Sequence, residues 1–66
     1  MHLTVNGRPL LLNPPHTMRH VIEHLELDPA LTVVEHNGVA LLRTEWDAVT
    51  PADGDRIELL RIAAGG

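Results

Sequence analysis

Leu3-Thr4-Val5-Asn6-Gly7-Arg8-Pro9-Leu10-Leu11-Leu12 decides how this chain starts to fold. Two extended, largely apolar runs flank Asn-Gly, the pair best suited to a two-residue type I′ turn, where both central residues need φ > 0. That closure pairs Val5 with Arg8 and Leu3 with Leu10. Leu3, Val5, Leu10 and Leu12 then share one face, and His2, Thr4, Pro9 and Leu11 take the other. Pro9 has no N–H to give a second neighbour, so its strand belongs at a sheet edge.

Beyond the hairpin, Asn13-Pro14-Pro15-His16 breaks the chain and Thr17 is placed to cap a helix. Met18, Val21, Ile22 and Leu25 recur at i, i+3, i+4 and i+7, one helical stripe. Arg19, His20, Glu23 and His24 fall on the opposite side, and Asp28-Pro29 stops further helix. Leu31 to His36, Asn37-Gly38 and Val39 to Leu42 read as a second Asn-Gly hairpin, whose register is open because neither strand alternates cleanly. Arg43-Thr44-Glu45-Trp46-Asp47 reads as a short turn or 3₁₀ segment, and Pro51-Ala52-Asp53-Gly54-Asp55 as a tight turn without EF-hand spacing. Arg56 to Ile62 is the last and most apolar strand, expected at the sheet centre beside the first. The order β-β-α-β-β-β leaves an apolar hairpin face that only the helix stripe can cover. The fold class is therefore α+β: a roll with a mixed four- or five-stranded sheet and one helix across one face.

Composition narrows the function. A chain of 66 residues with 44% apolar content is one small globular domain. It has no Cys, which excludes disulfides, a zinc knuckle and a cysteine nucleophile. Trp46 is the only aromatic residue, too little for a base-stacking platform. Nine acids against five arginines, with no Lys, give a net charge of −4, which repels phosphate backbones and disfavours nucleic acid. A protein partner with a basic patch suits it better. No apolar run is long enough to span a membrane, and Met1-His2-Leu3-Thr4-Val5 lacks a basic leader region, so a cytoplasmic protein is expected. The core must be aliphatic, with Met18 and Trp46 added.

Asn6-Gly7, Thr17 before the helix, Asn37-Gly38, Arg43-Thr44-Glu45-Trp46, Asp53-Gly54-Asp55 and a terminal Ala64-Gly65-Gly66 occur in that order over essentially the whole chain. Together they resemble the ThiS-type sulfur carriers of thiamin thiazole synthesis, within the β-grasp, ubiquitin-like superfamily. Arg61-Ile62-Ala63-Ala64 stands where the molybdopterin-synthase small subunit carries a Pro-rich stretch. Leu42 stands where a Pro is common in the ThiS branch. The resemblance implies a β-grasp domain over 1–62 and a flexible Gly-Gly tail over 63–66. It implies two partners: an E1-like adenylating enzyme of the ThiF/MoeB type and a thiazole synthase of the ThiG type. The enzyme would spend ATP to adenylate the Gly66 carboxylate, and the resulting thiocarboxylate would donate sulfur to the thiazole. The carrier itself would need no bound cofactor, metal or catalytic side chain. Physically, Gly65 and Gly66 lack a Cβ that would obstruct a narrow channel. Ala63 to Gly66 reaches roughly 13 Å at full extension. Carriage for another pathway (molybdopterin, cysteine or tRNA thiolation) and a ubiquitin-like interaction module without tail chemistry are the alternatives.

Candidate docking residues follow from strand parity. If Ile57 and Leu59 face the helix, then Glu58, Leu60 and Ile62 face outward, joined on that side by His2 and Leu11. One helix covers only one sheet face, so an apolar patch beside the tail is a docking signature. His16, His20 and His24 are spaced by four, and on a helix His20 and His24 are close enough to share a metal ion. No carboxylate or Cys completes an obvious set, and a solvated helix face accounts for them. Trp46 is expected to pack over the sheet edge. Arg43 has Glu45 or a partner as possible counterions.

Overall fold

The computed structural model describes residues 1–13 and 16–63. The expectations for Pro14 and Pro15, and for the tail at Ala64, Gly65 and Gly66, lie outside the described residues. The strands are β1 (His2–Val5), β2 (Arg8–Leu11), β3 (Thr32–His36), β4 (Val39–Leu41) and β5 (Arg56–Arg61), with one helix, α1 (Met18–His24). Short 3₁₀ turns span Pro29–Leu31 and Arg43–Glu45. The five strands form a single mixed sheet in the order β2-β1-β5-β3-β4. The last strand is central: it runs parallel to β1 and antiparallel to β3. This is the β-grasp arrangement.

The first hairpin closes as its Asn-Gly turn dictates, with Val5 opposite Arg8 and Leu3 opposite Leu10. Asn6 and Gly7 have φ of 49° and 79°, the left-handed pair such a turn needs. Thr4 donates to Asp55 O on the β5 side, so its partner Pro9 sits where its missing N–H faces the open edge and costs no ladder bond. The second hairpin repeats the closure, with His36 opposite Val39 and positive φ at Asn37 and Gly38.

Thr17 caps α1 through its hydroxyl, which accepts from His20 N at 3.3 Å. Thr17 N in turn donates to His20 Nδ1 at 3.4 Å, so a histidine takes the place that Glu or Gln usually holds in a capping box. The remaining amides of the first turn go to the 46–49 loop: Met18 N donates to Val49 O and Arg19 N to Trp46 O. The helix ends at His24, four residues before the Asp28-Pro29 stop. Glu26 adopts φ 58°, Leu27 N bonds to Ile22 O, and Glu26 N bonds to Glu23 O. That is a Schellman ending with glutamate at the left-handed position.

The core is Leu3, Leu12, Met18, Val21, Ile22, Val34, Trp46 and Ile57. Trp46 is 1% exposed and belongs to the core rather than to the sheet rim. The Arg19 guanidinium lies over its ring, 5.6 Å from the centroid, and bonds to Asp47 at 2.7 Å. Arg19 is thus tied across to the 43–47 segment instead of standing on a free helix face. Glu45 accepts from Leu42 N rather than pairing with Arg43. Among the described residues no helix is long and apolar enough to cross a membrane.

Candidate partner-docking face and tail exit

The strand that leads to the C-terminal residues is held on one side through its end and on the other as far as Leu59. On the β3 side, pairing runs from His36–Ile57 to Thr32–Arg61, and Ile62 N extends it by donating to Leu31 O at 2.7 Å. On the other side β1 turns away at Asn6, and its backbone ladder with β5 stops at Val5–Ile57. The Asn6 side chain continues it. Its Oδ1 accepts from Leu59 N at 2.7 Å and its Nδ2 donates to Leu59 O at 3.2 Å. A side-chain amide has the same donor and acceptor as a peptide group, so Asn6 stands in for the missing strand residue. Asn37 does a related job at the other end of β5: its Oδ1 accepts from Arg56 N.

Parity on β5 is as the sequence implies. Ile57 is fully buried and Leu59 half-buried against the core, while Leu60 and Ile62 are 57% and 49% exposed and Glu58 is exposed. His2 and Leu11 lie on the same outer face and are also exposed. They do not join the patch, however. His2 O accepts from Gly54 N, which sets His2 level with residue 54. Leu60 lies six positions further along the strand direction, roughly 20 Å away at the rise of a β-strand. The five docking candidates therefore divide: Glu58, Leu60 and Ile62 stand near the tail exit, and His2 and Leu11 mark the opposite end of the sheet.

The tail-proximal group gains two members that sequence alone did not supply. Val33 is directly opposite Leu60 in the β3–β5 ladder. Leu42 follows the Val34–Leu41 pair in extended conformation and continues the row beside Val33, 69% exposed. Leu60, Val33 and Leu42 thus form an apolar row across three strands, with Ile62 beyond it. The signal was available: giving the second Asn-Gly turn the same two-residue closure as the first puts Leu42 level with Val33.

Two of the three spaced histidines, His16 and His20, have a structural occupation. A backbone N–H can only donate, so the bond from Thr17 N requires an unprotonated Nδ1 on His20 and leaves the ring proton on Nε2. His16 meets His20 edge-to-face at 5.7 Å between ring centroids. Among the described residues no cluster of three metal-ligating side chains occurs. Elsewhere, His36 Nε2 and Asp55 Oδ2 lie 2.7 Å apart, tying the second hairpin to the turn before β5. The Asp55 carboxyl is held below its ordinary 3.8, first by that hydrogen bond to His36 and then by the Ala52 N–H.

The ThiS family model matches residues 3–66 of this chain. A crystal structure of a thiamine biosynthesis protein (ThiS) from Geobacter metallireducens is 35% identical, with a TM-score of 0.86 and full coverage of both chains. The solution structure of a thiamine biosynthesis protein from the same organism gives a TM-score of 0.82 at 35% identity, covering all of this chain and 88% of that one. No curated protein matches the chain significantly.

Proposed function

The chain belongs to the ThiS family, and on that premise we propose that it is a sulfur carrier, a protein co-substrate that contributes no catalytic side chain. The observation that carries this reading is the family match extending through residue 66, joined to a β5 held on the β1 side as far as Leu59 and on the β3 side as far as Ile62. A carrier must present one end of its chain to an enzyme while its body stays rigid, and a central strand gripped by both neighbours meets that need. A free carboxylate is a poor electrophile. Adenylation of Gly66 by an E1-like enzyme, with release of pyrophosphate, converts it to a mixed anhydride whose leaving group is AMP. The outer sulfur of a partner-borne persulfide then displaces AMP to form an acyl disulfide, and a second thiol cleaves its S–S bond, becoming disulfide-linked to the persulfide's own sulfur and releasing the thiocarboxylate. ATP is consumed by the partner, and the carrier holds no cofactor. The relatives' part in thiamine biosynthesis makes a thiazole synthase the favoured acceptor and the cytoplasm the setting.

The docking surface in this reading is the Leu60–Val33–Leu42 row with Ile62 and Glu58, since any enzyme working on Gly66 must grip the body nearby. The test is ATP–pyrophosphate exchange with the E1-like adenylating enzyme, followed by intact-protein mass after sulfur loading. The full chain should support exchange and gain the mass of one oxygen replaced by sulfur. A chain lacking Gly66 should fold normally, because every core residue lies between Leu3 and Ile57, yet support no exchange. Normal exchange by the truncated chain would overturn the assignment.

A further inference from the structure

Next to the apolar row on the outer face, Glu35 and Glu58 stand directly opposite each other on β3 and β5. Side chains so paired have Cβ atoms about 4.5–5.5 Å apart, and like charges in that position destabilise a sheet. Nothing relieves the pair: among the described residues neither carboxylate takes part in an ion pair. Arg56 shares the face two residues before Glu58 and makes no ion pair with either. Glu35 is half-buried, which reduces the water available to screen it, while Glu58 is exposed. The cost falls near the centre of the five-stranded sheet, on strands whose other face forms the core.

We propose that this uncovered sheet face docks an arginine-bearing apolar surface of the activating enzyme, with the guanidinium seated between Glu35 and Glu58 and the neighbouring aliphatic surface lying on Leu60, Val33 and Leu42. The proposal rests on the carrier reading and deepens it by stating the chemistry of the partner. Charge complementarity identifies the occupant. Two adjoining carboxylates accept the five N–H donors of a planar guanidinium better than they accept a neutral group. The chain's net charge of −4 favours approach of a cationic patch. The apolar row begins at the next pair on the same face, Val33–Leu60, two residues along each strand, so one interface covers both. In the complex the guanidinium would relieve the repulsion that the free carrier bears.

The test measures stability and affinity on the same variants. Glu58→Gln removes the repulsion, and Glu58→Arg converts it to an attractive cross-strand pair; Glu58 is exposed, so both variants should fold. Thermal melts should rise by a few degrees for each, more for the arginine. Binding to the E1-like adenylating enzyme, by calorimetry at low and high salt, should weaken roughly tenfold for Glu58→Gln and further for Glu58→Arg. The salt dependence of the wild-type complex should be reduced in both. A wild-type complex that both variants match in affinity and salt dependence would overturn this proposal and leave the carrier reading standing. Absence of any wild-type complex would overturn both.

Discussion

Glu26 holds a left-handed backbone, φ 58°, at the residue where the chain leaves α1. A side chain there is disfavoured against glycine by about 1 kcal/mol, although glycine recovers part of that through its looser unfolded chain. Glu26→Gly should therefore raise the melting temperature by a few degrees; a fall would mean that the Glu26 side chain contributes contacts beyond its backbone role. Asp55 gives the pH dependence. Its carboxyl is more acidic in the folded protein than in the unfolded chain, so the unfolded chain binds more protons in acid. The stabilisation is complete above the ordinary value of 3.8 and is lost as pH falls through the lower folded-state value. Asp55→Asn should be less stable than wild type at pH 7, and the gap should narrow as pH falls below 3.8 and through the lower folded-state value. Urea melts at a series of pH values would show this, and a gap constant across acid would sink it.

At the scale of the element, β5 has two faces with opposite duties. Ile57 is fully buried against α1, so Ile57→Asp places an uncompensated charge in the core and should leave the chain unfolded by circular dichroism. Leu60 is mostly exposed, so Leu60→Asp should change stability by less than about 1 kcal/mol. It should nevertheless weaken binding to the adenylating enzyme by about thirtyfold, the cost of losing an interface anchor. A folded Leu60→Asp chain that binds normally would place the docking face elsewhere. Asn6 belongs at this scale too. Asn6→Gly keeps the positive φ of the turn and removes the amide that grips Leu59. Faster hydrogen exchange at Leu59 N with an unchanged first hairpin is the expected result; unchanged exchange would show that β5 needs no brace there.

For the whole molecule, a domain of this size has roughly 3–10 kcal/mol of stability. Among the described residues it rests on a core of eight buried hydrophobic side chains, of which Trp46 is the largest. Trp46 joins elements that share no ladder: its carbonyl caps the start of α1, its ring lies under Arg19, and its side chain fills the core beneath the sheet. Trp46→Ala should cost about 3–5 kcal/mol and leave the chain largely unfolded at 37 °C. A cooperative melt close to wild type would mean that the remaining core suffices. The same smallness explains why the outer face stays bare. Among the described residues one helix covers one side of the sheet, and the other side is the one proposed above to meet a partner.

Local rules were enough for the elements and for much of their arrangement. Asn-Gly sets each hairpin closure, Pro9 sends β2 to the edge, Thr17 starts the helix, and period-two alternation assigns Ile57 inward and Leu60 outward. Each of these acts over a few residues, so a linear sequence displays it. Tertiary structure decided what depends on strands meeting at a distance. The parallel β1–β5 register puts His2 and Leu11 far from the tail exit, and the β3–β5 register sets Glu35 against Glu58 and Val33 against Leu60. The Asn6 brace on Leu59 and the burial of Trp46 under Arg19 arise the same way. Sequence spacing records neighbours along the chain. A ladder between β3 and β5 joins residues separated by a turn, a hairpin and a loop, and its register is set by how all of them pack at once.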